Sequence, residues 1–220
     1  MYSRKAALSR AKQYRTCPPP HIVADPAHRE AVEKHFAICP YCSQHVAEDQ
    51  RDWGNLTRHI QQSPARMLPP SSSQDRIIPC QLRHIRSDLG EWCEGYFYNP
   101  PLVLTLKSGG RHSDEVLVAQ TCHEICLAGP GDIILPHARG VADELFAESW
   151  NIYTVRATYL DTPVRELAPE IADAVSASGI SSSDICPPWA IQPRPLLPHD
   201  PRISFRELET RVGGVYTCLK

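Results

Sequence analysis

The sequence lacks the features that would place the protein in a membrane or outside the cell. It contains no apolar run near the length of about 20 residues that a helix needs to cross a bilayer. Its first fifteen residues lack the apolar core and the small-residue cleavage site of a secretory signal. The basic residues in this stretch are interpreted as a solvated tail. We therefore expect a cytoplasmic protein with no membrane partner.

The sequence also lacks an excess of charge and the common catalytic motifs. Its 23 basic residues are balanced by 25 acidic ones, so nucleic-acid binding is compatible with the composition but not indicated by it. It has no Gly-rich phosphate loop, nucleophile elbow or acidic metal motif. These absences favour an interaction protein over an enzyme.

Cysteine and proline are abundant by comparison. The nine cysteines are odd in number and are not spaced like a secreted disulfide framework, which favours a reducing compartment with some cysteines on metal. The 21 prolines cluster, and the clusters predict boundaries. The predicted parts are a helical zinc-binding module (1–62), a linker (63–76), an α+β domain (77–178) and a Pro-rich tail with a short helix (179–220).

Residues 17–42 concentrate the side chains that zinc prefers. His35, Cys39 and Cys42 form the pattern H-x3-C-x2-C, and Cys17 lies upstream. His35 and Cys39 are one helical turn apart, and Pro40 then ends the helix so that Cys42 can turn back to the same ion. Zn²⁺ in structural sites takes four such ligands tetrahedrally, which leaves no open position for a catalytic water. The pattern predicts a structural Zn²⁺ site formed by Cys17, His35, Cys39 and Cys42, with His21 as the alternative to Cys17.

Ordinary buried cysteines are the competing interpretation, because free cysteine often packs as a small hydrophobe. We apply that interpretation to a second cluster, Cys122, His123 and Cys126, which lacks a C-x2-C pair and the spacing of a closed tetrahedral site. Cys80 and His84 are also expected to be structural.

Two helices are predicted around the zinc segment. Asp25 is a suitable N-cap and Pro26 suits the first helical position, so a helix should cover 26–38. A second helix is predicted over 43–62, and it should either pack on the zinc segment or offer an apolar edge to a partner. Its apolar positions recur near heptad spacing: Val46, Trp53, Leu56 and Ile60.

The rest of the chain alternates strands and helices. Strands are predicted at 102–106, 115–121 and 132–135, with one or two more within 145–160 and a strand or connector within 77–87. A closing helix is predicted over 164–178, and a short one over 204–212 begins after Asp200 and Pro201. The fold class is α+β: a small N-terminal helical zinc-binding module followed by a small curved-sheet or open-barrel domain with a closing helix and a Pro-rich tail.

The zinc segment resembles a known family. Cys17 together with His35, Cys39 and Cys42 in "HFAICPYC" is similar to the zinc-binding anti-sigma (putative zinc-finger) domain, over residues 17–60. The resemblance implies a regulatory protein that presents a helical face to a sigma factor or another transcription protein. Members usually have a longer helix between the first Cys and the His, whereas three prolines follow Cys17 here and predict a helix that is short or missing.

The second domain more weakly resembles the PemK/MazF-like toxin barrels, through "PPLVLTL" followed by "VLVAQT". This resemblance implies an alternative function, an RNA-cleaving or RNA-binding barrel restrained by the zinc module. Thr121 stands at the position of the family's catalytic Thr or Ser. Asn99, Pro100 and Pro101 stand where its catalytic arginine would be. Without that arginine, a barrel used for binding or dimerisation is favoured over cleavage.

Overall fold

The computed structural model describes residues 3–43, 76–108, 114–135, 144–180, 187–191 and 193–217. These residues form two compact units. The metal unit contains residues 13–43 and 90–99; the sheet unit contains residues 3–12, 76–89 and the described residues from 100 onward. Residues 44–62 of the predicted second helix and 63–75 of the predicted linker lie outside the described residues, and the predicted domain boundaries stay predictions. No described helix is both long and apolar enough to span a membrane.

The helix that carries His35 ends at Ile38 as the sequence predicts, but it begins at Arg29, three residues later than predicted. The Asp25 carboxylate accepts a hydrogen bond from the backbone N–H of Ala27 at 2.9 Å, and a 3₁₀ turn at Pro26–His28 leads into helix α3 (Arg29–Ile38). The backbone is extended at Cys39 (φ −83°, ψ 116°), and residues 40–43 are helical again. Pro40 therefore starts a new helical turn, where its missing N–H costs little.

Two further helices precede α3. Helix α1 covers Arg4–Thr16, and helix α2 covers Pro20–Ala24. The five residues of α2 match the expectation of a short helix after Cys17.

The basic N-terminal stretch is not a solvated tail, which corrects the interpretation from sequence. Within the sheet unit, the guanidinium of Arg10 donates to both carboxylate oxygens of Glu124, at 2.6 and 2.7 Å. Ala7 and Ala11 lie four residues apart on α1 and are buried in a cluster with Phe146 and Phe205. An apolar stripe built from alanines is weak in sequence, which explains why a solvated tail was expected.

The sheet unit is built on one sheet of six antiparallel strands. The sheet is open and curved by bulges, for example between Thr105 and Lys107 in its pairing with the next strand. The predicted fold class is confirmed as a mixed α+β arrangement, without closure into a barrel among the described residues. The strands are β1 (Gln81–Ile85), β4 (Leu102–Ser108), β5 (Glu115–Cys122), β6 (Asp132–Leu135), β7 (Leu145–Arg156) and β8 (Leu160–Glu166). Their order across the sheet is β6-β7-β5-β4-β1-β8.

Two helices complete the sheet unit. Helix α4 (Pro169–Ile180) buries Ile171 and Val175 in the main core. It begins later than predicted, because residues 164–166 continue β8, where Arg165 pairs with Leu82 of β1. Helix α5 (Pro201–Thr217) starts at the predicted proline but extends past the predicted end at 212. Gly213 lets the extended helix lie close to β7, because a Cβ atom there would come within 2.7 Å of the Asn151 side-chain oxygen.

A β-hairpin that the sequence analysis did not predict belongs to the metal unit. Strands β2 (Glu91–Cys93) and β3 (Tyr96–Tyr98) pair antiparallel, with Cys93 opposite Tyr96. The two residues between them, Glu94 and Gly95, have φ values of 51° and 81°. Two positive φ values are typical of the type I′ turn that joins tightly paired strands. We call residues 90–99 the hairpin.

Candidate metal centre

Four side chains of the metal unit converge as the zinc prediction requires. The ligand atoms of Cys17, His35, Cys39 and Cys42 all lie within 4.8 Å of one another. The sulfur atoms of Cys17 and Cys39 are 3.6 Å apart, too far for a disulfide, whose bond is about 2.05 Å. Two thiolates on one tetrahedral zinc, each about 2.3 Å from the ion, would be separated by about 3.8 Å. The sulfur spacing therefore suits two thiolates that share one ion.

Local backbone structure places all four of these side chains. Cys17 follows the last turn of α1, and its N–H donates to the Gln13 carbonyl at 3.1 Å. His35 lies in the last turn of α3, and the N–H of Cys39 donates to its carbonyl at 2.8 Å. Cys42 lies in the helical turn that Pro40 begins. Cys17, His35 and Cys39 are buried, whereas Cys42 is partly exposed.

The hydrogen bond to the His35 ring identifies which nitrogen is free to bind a metal. Nδ1 of His35 lies 3.0 Å from the carbonyl oxygen of Gly95. A carbonyl can only accept, so Nδ1 carries a hydrogen, and in the neutral imidazole that binds a metal Nε2 then keeps its lone pair. Nε2 is buried and makes no hydrogen bond of normal geometry with another described residue. A buried polar atom left without a partner costs about 1–3 kcal/mol, and coordination of a metal would remove that cost.

The electrostatics of the cluster favour deprotonation of one of its thiols, that of Cys42. A hydrogen bond with Cys17 and, to a smaller extent, polar and charge interactions with His35 lower the pKa of Cys42 to about 4, although burial opposes the change. The same hydrogen bond, together with burial, raises the pKa of the Cys17 thiol. Without metal, the cluster thus favours one thiolate held by neighbouring protons. A divalent cation would replace those protons, as cysteine-rich metal sites require.

Other candidate ligands from the sequence lie outside this cluster. His21 is exposed on α2 and is not one of the clustered residues. Cys122 is buried and Cys126 is partly buried, as expected for structural cysteines. Cys80 is buried and its thiol donates to the Pro169 carbonyl at 3.2 Å. Within the described ranges, no second group of His, Cys, Asp or Glu side chains is arranged to hold a metal ion.

The positions that carry the toxin-like resemblance make internal hydrogen bonds. Thr121 is 2% exposed, and its hydroxyl donates to the Leu102 carbonyl at 2.9 Å. The side-chain amide of Asn99 donates to the carbonyls of Tyr14 and Cys17, at 2.8 and 2.7 Å. Thr121 is therefore not presented to a substrate, and Asn99 belongs to the surroundings of the metal cluster.

Two residues that bear on the cluster, Gly95 and Asn99, were missed by the sequence analysis. A weak signal for Gly95 exists, since Glu94-Gly95 stands between the strand-forming runs "WC" and "YFY". Asn99 gives no local signal, because its partners lie more than eighty positions earlier in the chain.

Comparison with models of known protein families finds no match, and comparison with curated proteins finds no similar sequence. The likeness to anti-sigma domains and to toxin barrels therefore rests on the quoted residues alone.

Proposed function

We propose that Cys17, His35, Cys39 and Cys42 bind one Zn²⁺ as a structural site. The observation that supports this most directly is the convergence of four ligand atoms within 4.8 Å. Three thiolates and one imidazole are a common ligand set of structural zinc. Four protein ligands fill the tetrahedron, so the proposed ion stabilises the fold and activates no water.

The small core of the metal unit explains why an ion would be needed there. Apart from two of the cysteines, its buried apolar side chains among the described residues are Val32, Phe97 and Tyr98. Apolar burial among these described residues is small, so it gives this part of the unit little stability by itself. Zinc would join the end of α1 to the end of α3, and its binding free energy would contribute to folding.

The proposed role of this zinc-stapled unit is regulation through a protein partner. The segment from His35 to Cys42 carries the resemblance to anti-sigma domains, which favours a sigma factor or another transcription protein as that partner. Two large apolar side chains of the unit are exposed, Tyr14 at 56% and Ile38 at 50%, and each lies within three residues of a proposed ligand. They are exposed apolar surface beside the proposed site that a protein partner would cover.

The zinc assignment is tested by metal analysis of the full-length protein purified under reducing conditions. Wild type should contain about one zinc per chain, and Cys39→Ser should contain almost none, because it removes a buried ligand. Cys126→Ser is the matched control, since that thiol lies outside the cluster, and it should keep its zinc. Full zinc retention in Cys39→Ser would refute the site.

The regulatory role is tested by identifying what co-purifies with the tagged protein from its native cells. A sigma factor or a polymerase subunit should be retained by wild type and lost with Cys39→Ser. Absence of any transcription protein from the wild-type sample would contradict the proposal. Hydrolysis of RNA by the purified protein, abolished in Thr121→Ala, would support the toxin-like alternative instead.

A further inference from the structure

We infer that the hairpin positions two of the four zinc ligands, through the Gly95 carbonyl on His35 and the Asn99 side chain on the backbone of Cys17. This inference rests on the proposed zinc site. It adds that the site needs a second set of residues, located 60 positions after His35 and 82 positions after Cys17.

The contact with His35 determines how the imidazole meets the ion. Because Nδ1 donates to the Gly95 carbonyl, Nε2 is the nitrogen left for zinc. Partners of this kind fix the tautomer and orientation of a ligand histidine. Gly95 is suited to this position because its φ of 81° is unfavourable for other residues.

Aromatic side chains of the hairpin hold the His35 ring from its sides. Its centroid lies 6.1 Å from the ring of Trp92 and 5.8 Å from the ring of Tyr96, both in edge-on geometry. Trp92 in turn packs edge-on against Phe97 at 5.1 Å. His35 itself has no exposed surface. These contacts restrict the ring to the orientation that the Gly95 carbonyl selects.

The contact with Cys17 acts through the end of α1. The last carbonyls of a helix have no partners within the helix. Asn99 donates hydrogen bonds to three backbone carbonyls at and just after the end of α1. Its side chain donates to the carbonyls of Tyr14 and Cys17, and its backbone N–H donates to the carbonyl of Arg15 at 2.9 Å. One residue thereby fixes the direction in which the chain leaves the helix, and with it the position of the Cys17 thiol.

The experiment measures zinc affinity of the full-length protein by competition with a chelator of known affinity. Gly95→Ala keeps the carbonyl but strains the turn that presents it, because φ is 81° there, and Asn99→Ala removes the side-chain amide. Each variant should therefore bind zinc about 10–100-fold more weakly than wild type, which is the usual effect of disturbing a partner of a metal ligand. Glu91→Gln is the control, since Glu91 is an exposed residue of the same hairpin, and its affinity should match wild type.

A nitrogen NMR measurement on His35 separates positioning from a general loss of structure. Wild type loaded with zinc should show the metal on Nε2 and a slowly exchanging hydrogen on Nδ1. In Gly95→Ala that hydrogen should exchange faster, whereas Asn99→Ala should leave it unchanged. If Gly95→Ala does not fold, Asn99→Ala and the wild-type spectrum decide.

The outcomes separate this inference from the proposed function. Wild type that binds no zinc would overturn the proposed function itself. Wild type that binds zinc through Nδ1, or wild-type affinity in either hairpin variant that folds, would overturn the positioning role while leaving the zinc site intact. Weaker binding in the hairpin variants, with Glu91→Gln unaffected, supports the inference.

Discussion

Replacing Asp132 by asparagine should remove a large pH dependence from the stability of the sheet unit. Asp132 is the first residue of β6, and its side chain is 1% exposed. It accepts hydrogen bonds from the Gly129 N–H at 2.7 Å and from Nε1 of Trp150 at 2.6 Å, with the Arg206 guanidinium 4.0 Å away. Burial outweighs these contacts and raises the pKa of Asp132 from 3.8 to about 7.

The direction of the effect follows from the raised pKa. Between about pH 4 and pH 7 the native protein keeps a proton on Asp132 that the unfolded chain has already lost. The free energy of unfolding is therefore higher at the acidic end of this window and falls as the pH rises through the native pKa. With these two pKa values, Asp132 alone should lower the stability by about 2.5 kcal/mol between pH 5 and pH 8.

Urea unfolding at pH 5 and pH 8, followed by circular dichroism, measures this difference. Asp132→Asn also loses one of two hydrogen-bond acceptors, but that cost is nearly the same at both pH values and cancels in the comparison. Asp173→Asn removes an exposed carboxylate of α4 and serves as the control, with the pH dependence of wild type expected. An Asp132→Asn variant whose stability changes with pH as much as that of wild type would refute the argument.

Two other perturbations test the sheet unit and the metal unit separately. Arg202 is 1% exposed, pairs with Asp200 and donates to three backbone carbonyls. Arg202→Met should therefore lower the free energy of unfolding in urea by about 3 kcal/mol. Arg4, 3.4 Å from the Asp200 carboxylate, would offset part of this loss because it still pairs with the carboxylate. Arg211→Met, on the exposed side of the same helix, should change the free energy of unfolding by less than about 0.5 kcal/mol. Equal losses in the Arg202 and Arg211 variants would contradict a stabilising role for the buried contacts of Arg202. Peroxide should oxidise two ligand thiols to a disulfide and be reduced to water, and the zinc should then be released. Thiol reductant with added zinc should restore the site. Release into a colour-forming chelator that is no faster with peroxide than without would show an inert site.

The sequence predicted best the features that depend on neighbours along the chain. The capped 3₁₀ turn that leads into α3 follows from Asp25 and Pro26, and the arrangement of His35, Cys39 and Cys42 follows from one helical turn and a proline. Strands β4, β5 and β6 follow from short β-branched runs between turn residues. In each of these cases the deciding interaction spans only a few residues.

The choice of the fourth cysteine and the surroundings of the site depend on contacts between distant residues. Sequence alone left Cys17 and His21 as alternatives, because both precede α3 at a plausible distance. The structure brings Cys17 to the cluster and leaves His21 exposed. The hairpin was overlooked because Glu-Gly is a weaker turn signal than Asn-Gly or Asp-Gly, and because its strands have only three residues each.

The hairpin also bears on how the metal unit could be regulated. If the hairpin contributes to zinc affinity through His35 and Cys17, then zinc contributes equally to the stability of the hairpin, because coupling between two binding equilibria is reciprocal. A partner that binds the hairpin in the conformation seen here would strengthen zinc binding, and one that displaces Gly95 or Asn99 would weaken it by the same free energy. Zinc occupancy and partner binding would then be linked through residues that never touch the metal.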